Sequence, residues 1–195
     1  DITQHLDYDA VGNVIHTNSS VTPKFSDTAA FNNDDDVFMT YNALNQVITT
    51  QTPQVGDDKS VTTFTYDVEG RQTSTTRHAH GLNTSNDDAV DTTEYNALGE
   101  KTATRDAMGH LISYTYDDLG HITTETQGSR ETRYRYDALG HQLSTEIKLL
   151  DGTYQTDSAT YNAFGEVTTK SRNGIQVGHY EYNTAGNLIS STDSG

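Results

Sequence analysis

The sequence predicts an all-β protein, built as a tandem array of antiparallel β-hairpins. Three observations lead there. A Tyr-Asp/Asn-x-x-Gly motif recurs eight times along 195 residues. The residues flanking each copy alternate between apolar and polar, as strands do. The composition holds 12 Tyr and 15 Gly against only 32% hydrophobic residues and no Trp. Tyr and Thr suit a pleated surface and Gly suits turns. So small an apolar supply fits thin, aromatic-rich layers better than a filled globular core.

The copies are Tyr8-Asp9-Ala10-Val11-Gly12, Tyr41-Asn42-Ala43-Leu44-Asn45, Tyr66-Asp67-Val68-Glu69-Gly70 and Tyr95-Asn96-Ala97-Leu98-Gly99. Tyr116-Asp117-Asp118-Leu119-Gly120, Tyr136-Asp137-Ala138-Leu139-Gly140, Tyr161-Asn162-Ala163-Phe164-Gly165 and Tyr182-Asn183-Thr184-Ala185-Gly186 follow. The step from Tyr116 to Tyr136 is among the shortest and sets a unit of about 21 residues. Longer steps, such as Tyr8 to Tyr41, carry insertions.

Each motif position has a local physical reason. Asp or Asn at the head of a turn accepts a hydrogen bond from the backbone two residues on. Gly three residues later supplies the positive φ of a type I turn followed by a bulge. Asn45 replaces Gly in one copy, and Asn is the side chain that best tolerates that region.

Two residues before the Tyr stand Leu6, Met39, Phe64, Tyr114, Tyr134 and Tyr180, with Thr93 and Ala159 in the other copies. They share a face with the motif Tyr. After the turn, apolar residues return at Val14, Val47, Ile122, Leu143, Val167 and Leu188. A second turn per unit is visible at Asp106-Ala107-Met108-Gly109, and at Gly128, Asp151-Gly152 and Asn173-Gly174. Each unit should hold two strands and two turns, at opposite edges of the strip. A flat strip of this length is unfavourable, so it should curve or spiral, with Tyr layers along one face.

The whole chain, 1–195, reads as one array excerpted from a larger protein. Loop insertions fall near 17–37 and 77–92. The first carries Pro23, Phe25, Phe31 and Asp34-Asp35-Asp36; the second carries His78, His80, Asp87, Asp88 and Asp91. Loops on a rigid scaffold are the usual hosts of binding, but a tolerated surface insertion is the simpler reading of both.

The net charge of −16 argues against nucleic acid and anionic membranes as partners. No apolar run is long enough to span a bilayer as a helix, so no membrane insertion is expected. Without Cys there is neither a disulfide nor a thiolate metal site. His110, His121 and His141 each follow a turn Gly and are expected as solvent-exposed turn residues rather than metal ligands. No cofactor is expected; calcium is the one cation the acidic residues could attract, but the Asp34–Asp36 run lacks an EF-hand's spacing. Gly-x-Ser-x-Gly, His-Glu-x-x-His and phosphate-loop patterns are all missing, and the chain is not expected to be an enzyme.

The pattern Tyr-Asp-x-x-Gly-x-Leu/Ile, preceded by Tyr-x-Tyr, resembles the YD repeat of RHS-repeat proteins. Residues 104–120, TRDAMGHLISYTYDDLG, are close to a complete unit of that family. The resemblance implies a large secreted or surface bacterial protein whose hairpins wind into a hollow shell. In RHS toxins and insecticidal toxin-complex subunits such a shell encloses a C-terminal toxic domain; in teneurins it supports adhesion. The implied partners are neighbouring repeats of the parent chain and an enclosed toxin domain.

Two departures stand out. The family often has Arg after the motif Gly, where this chain has Asn13, Gln46, Arg71, Glu100, His121, His141, Glu166 and Asn187. The family's self-cleaving region contains Asp-Pro, and here neither Pro23 nor Pro53 follows Asp. Two other functions remain compatible with the sequence: an extracellular adhesion module binding glycan or protein, and a repeat unit of a filament joined through its end strands.

Overall fold

A computed structural model describes residues 2–21, 36–53, 59–78 and 87–193. Among these residues there are sixteen strands and no helix. The chain divides into two compact units, residues 1–94 with 105–109, and residues 95–104 with 110–195.

The first unit is a meander of β1 (Ile2–Tyr8), β2 (Val14–Val21), β3 (Val37–Tyr41), β4 (Val47–Pro53), β5 (Lys59–Tyr66), β6 (Gln72–His78) and most of β7 (Ala89–Tyr95). Every strand pairs antiparallel with its sequence neighbour. The second unit continues the same topology. It holds β8 (Lys101–Arg105, its last residue apart), β9 (Leu111–Tyr116), β10 (Ile122–Gln127), β11 (Arg130–Tyr136) and β12 (Gln142–Lys148). It ends with β13 (Tyr154–Tyr161), β14 (Val167–Arg172), β15 (Ile175–Tyr182) and β16 (Leu188–Asp193). This is the tandem hairpin array the motif spacing called for.

The motif turns close as five-residue loops. In the turn joining β11 to β12, the Gly140 N–H donates to the Asp137 carbonyl at 3.1 Å and the Asp137 N–H to the His141 carbonyl at 2.9 Å. That is a type I turn with a glycine bulge. Asn45 takes its place with φ 60°, so the one non-glycine copy has the backbone that glycine has elsewhere. A second irregularity follows each turn: the register slips by one residue at the motif Tyr, as between Arg135 and Tyr136 or Thr160 and Tyr161. Such bulges bend and twist the strand that carries them.

The opposite-edge turns are of two kinds. Asn173 and Gly174 both have positive φ, a two-residue turn between the paired Arg172 and Ile175. Asp151-Gly152 differs from a two-residue turn: Gly152 N–H bonds to Leu149 O, so Leu149 opens a five-residue loop of the motif kind.

Strands reach further into the insertions than their sequences suggest. Thr17–Val21 belong to β2 and pair with β1, and Ala89–Thr92 pair with β6. Thr, Ser and Asn runs form ladders readily because the bonds are main-chain ones. Pro23, Phe25, Phe31, Asp34, Asp35 and His80 lie outside the described residues.

Among the described residues no layered core holds the sheet together. Val61 is the one fully buried apolar side chain among the described residues. One face instead carries half-buried residues beside exposed neighbours: Met39 and Tyr41 against Phe38 and Thr40, Tyr134 and Tyr136 against Arg133 and Arg135. Cohesion must therefore come from strand-to-strand side-chain contacts.

Candidate functional site

The row of motif turns is where the repeated residues converge. In all eight turns one side-chain oxygen of the leading Asp or Asn accepts two backbone N–H bonds. Asp9 Oδ1 accepts from Val11 at 3.0 Å and Asn13 at 2.8 Å. Asn162 Oδ1 accepts from Phe164 at 2.9 Å and Glu166 at 3.1 Å. Asn42, Asp67, Asn96, Asp117, Asp137 and Asn183 repeat the pattern. The opposite-edge Asp106 accepts one such bond, from Met108 at 2.9 Å. Each net bond contributes about 1 kcal/mol.

The other side-chain atom of the same residue selects its partner. Where the turn begins with Asp, the residue after the turn Gly carries a donor. Asn13 Nδ2 bonds Asp9 at 2.9 Å, Arg71 Nε bonds Asp67 at 2.7 Å, and the Nδ1 atoms of His121 and His141 meet Asp117 and Asp137 at 3.0 and 2.8 Å. In three of the four turns that begin with Asn, that residue carries an acceptor: Gln46 takes the Asn42 amide at 2.7 Å, Glu100 that of Asn96 at 2.5 Å, and Glu166 that of Asn162 at 2.6 Å. The motif thus extends one position further than its Gly. The matching of Asp with donor and Asn with acceptor is legible in the sequence once the two positions are read as a pair.

These partner residues also reach the next turn. Asn13 Nδ2 bonds Asn45 Oδ1 at 3.0 Å, and Gln46 Nε2 donates to Gly70 O at 2.8 Å. A Cβ on Gly165 would fall 2.6 Å from His141 Nε2. Glycine there, at φ 81°, meets both a backbone need and a neighbour's side chain.

The motif Tyr completes the link. In four copies its hydroxyl donates to the first carbonyl of the preceding hairpin's outgoing strand: Tyr41 to Val14 at 2.7 Å, Tyr66 to Val47 at 2.8 Å, Tyr116 to Lys101 at 2.7 Å, and Tyr161 to Gln142 at 2.8 Å. Tyr136 and Tyr161 also stack on His121 and His141, with ring centroids 4.7 and 4.8 Å apart.

The expectation of solvent-exposed turn histidines is therefore corrected for two of the three. His121 and His141 side chains are 31% and 28% exposed, held between their own Asp and the next unit's Tyr. Each ring stacks on a Tyr of the next hairpin, a contact between strands that local sequence does not encode. His110 does stand exposed. Hydrogen bonds from the His141 side chain and backbone hold the Asp137 carboxyl below its ordinary value, and the His121 backbone N–H does most for Asp117.

Histidines also mark the stems of both insertions. His16 on β2 puts Nδ1 2.8 Å from Asp7 and Nε2 3.0 Å from Asp36, and stacks on Phe38 at 4.5 Å. Carboxylates at both ring nitrogens favour the imidazolium and raise its pKa, the Asp7 bond contributing most. His78 on β6 bonds Asp88 at 2.9 Å and Thr63 at 3.0 Å, and the His78 and Asp88 side chains are each 6% exposed. Sequence reading missed both pairings: Asp36 and Asp88 lie across the insertions from His16 and His78, and Asp7 and Thr63 lie on the strand paired before them. Among the described residues no three His, Asp or Glu side chains converge as a metal site.

The RHS repeat family model matches residues 95–131. No curated protein matches the chain. Among solved structures, the crystal structure of TcdB2-TccC3 superposes with a TM-score of 0.59 at 15% identity, covering 98% of this chain and 12% of that one. The TcdB2-TccC3-Cdc42 crystal structure gives 0.49 at 15% identity, with 98% and 12% covered. A Photorhabdus luminescens Tc holotoxin pore with a TccC3 mutation gives 0.48 at 15%, again with 98% and 12% covered. The chain thus spans about an eighth of each of these three solved chains, and what it shares with the first of them is the fold.

Proposed function

We propose that this RHS-repeat hairpin array is a wall segment of a larger secreted bacterial protein, and that the wall encloses a C-terminal toxic domain of the same polypeptide. One observation carries the reading. In the central motifs the polar side chains are engaged within the array: the Asx closes its own turn, Gln46 reaches the following turn, and the hydroxyls of Tyr41, Tyr66, Tyr116 and Tyr161 reach the preceding hairpin. A module whose polar groups are engaged in this way is built to continue a surface. It acts without catalysis of its own, and its partners are further repeats and the enclosed domain. A polypeptide without Cys and with net charge −16 suits passage through an oxidising exterior.

The test begins with the reading frame downstream of residue 195. The proposal expects more repeats, then an Asp-Pro-containing segment and a region of different composition. In the purified full-length protein, that last region should resist protease until urea opens the wall. Cleavage of it at native-state rates equal to those of the isolated region would overturn encapsulation while leaving the repeat module intact.

A further inference from the structure

One groove on the face of the motif tyrosines opens where the repeat departs from its own pattern. Two residues before the motif Tyr, the array pairs a large side chain with a smaller or polar one across the hairpin. Phe64 pairs with Thr75, Tyr114 with Glu125, and Tyr134 with Thr145. In the hairpin of β13 and β14 the sizes are reversed, with Ala159 paired to Lys170. The ring that shares a face with the motif Tyr in those copies is therefore missing beside Tyr161.

Lys170 does not fill the space. Its ammonium leans toward β15 and lies 5.4 Å from the centre of the Tyr180 ring. Gly178, the strand partner of Lys170, makes that possible. A Cβ on Gly178 would fall 2.7 Å from the Tyr180 hydroxyl, so the ring lies back along its own strand only because that position is glycine. The hydroxyl is held there by Asp193 Oδ1 at 2.7 Å.

What remains is a groove of about 310 Å³ within the second unit, walled by Leu143, Ala159, Tyr161 and Val167 and flanked by Lys170 and Arg172. Arg172 Nε is engaged with Asp157 Oδ1 at 2.8 Å. Lys170 has no carboxylate partner among the described residues, in a chain with 28 acidic residues against 12 Lys and Arg.

We infer that this groove binds a small aromatic carboxylate, its ring over Ala159 against Tyr161 and its carboxylate on the Lys170 ammonium. The ring follows from the array itself, which sets a Phe or Tyr at this position in other copies. The anion follows from the ammonium at the groove's edge. The volume lies at the small end of ligand sites, which run from about 300 to 1,000 Å³, and suits a body of one or two rings. The site is built within the second unit alone, so it stands whether or not the wall encloses a cargo.

Binding of 2-naphthoate to the purified protein is the test. The chain has no Trp, so naphthyl fluorescence reads the titration directly. A net charge of −16 disfavours general uptake of anions, so saturation marks a local site. The expected Kd is about 1 mM for a ligand of this size in an open groove. Ala159→Tyr should abolish binding by filling the groove. It should leave the fold intact, because Tyr114 and Tyr134 hold the same position in β9 and β11. Lys170→Met should weaken binding by about three- to fivefold and bring the neutral 2-naphthamide level with the acid. Far-ultraviolet circular dichroism checks that each variant is folded; if Ala159→Tyr is not, Lys170→Met decides. A titration with no saturation below about 10 mM would overturn the inference. So would unchanged binding to folded Ala159→Tyr. Equal affinity of the wild-type protein for 2-naphthamide would remove the Lys170 contact, and the ligand class with it.

Discussion

The Tyr161 hydroxyl donates to the Gln142 carbonyl oxygen at 2.8 Å, joining residues 19 apart in sequence, while its ring stacks on His141. One side chain thus ties its hairpin to the one before it. Tyr161→Phe keeps the stack and loses the bond, and should cost about 1 kcal/mol in urea unfolding. Tyr161→Ala loses both and should cost at least twice as much. Equal effects for the two variants would mean that the bond contributes nothing.

The Asp–donor and Asn–acceptor matching can be tested by breaking and restoring it. Asn162→Asp sets a carboxylate against the Glu166 carboxylate, where the present distance is 2.6 Å. The single variant should be destabilised. Adding Glu166→His should recover much of the loss, because His pairs with Asp in two other turns. A double-mutant cycle should give a coupling of about 1 kcal/mol, and additivity would remove the pairing rule.

Two glycines with the same backbone but different surroundings separate conformation from contact. Gly165 has φ 81° with His141 against it; Gly152 has φ 83° and open space. Gly152→Ala should cost about 1 to 2 kcal/mol from backbone strain alone. Gly165→Ala should cost measurably more, and His141→Ala in the same background should erase the difference.

Two groups give opposite pH dependences. The His141 side-chain and backbone bonds hold the folded carboxyl of Asp137 below its ordinary value of 3.8. Its contribution is therefore complete above about 3.8 and is lost as pH falls through the folded value. The Asp7 and Asp36 carboxylates hold the His16 imidazole above its ordinary value of 6.5. Its contribution is complete below about 6.5 and is lost as pH rises through the folded value. Carbon-detected titration of the His16 ring should show a midpoint above 6.5. His16→Gln should remove the loss of stability on the alkaline side and leave the acid side in place.

Much of this was legible before any coordinates. The turn positions, the hairpin order and the positive φ at Asn45 all follow from residues within five positions of one another, where backbone geometry leaves few choices. The second turn at Asp106 was legible for the same reason. The residue after the motif Gly was read only as a departure from Arg. Its partner Asx lies four positions away, so this pairing was also within reach of local inspection.

Other relationships required the folded sheet. His141 against Tyr161, Tyr41 on Val14, and His16 between Asp7 and Asp36 join strands whose separation varies with insertion length. The sequence by itself determined where this chain turns, because glycine and Asx act on their own backbone. Only the tertiary structure decided what each turn touches, because one register slip per hairpin and the pairing of adjacent strands set which side chains meet.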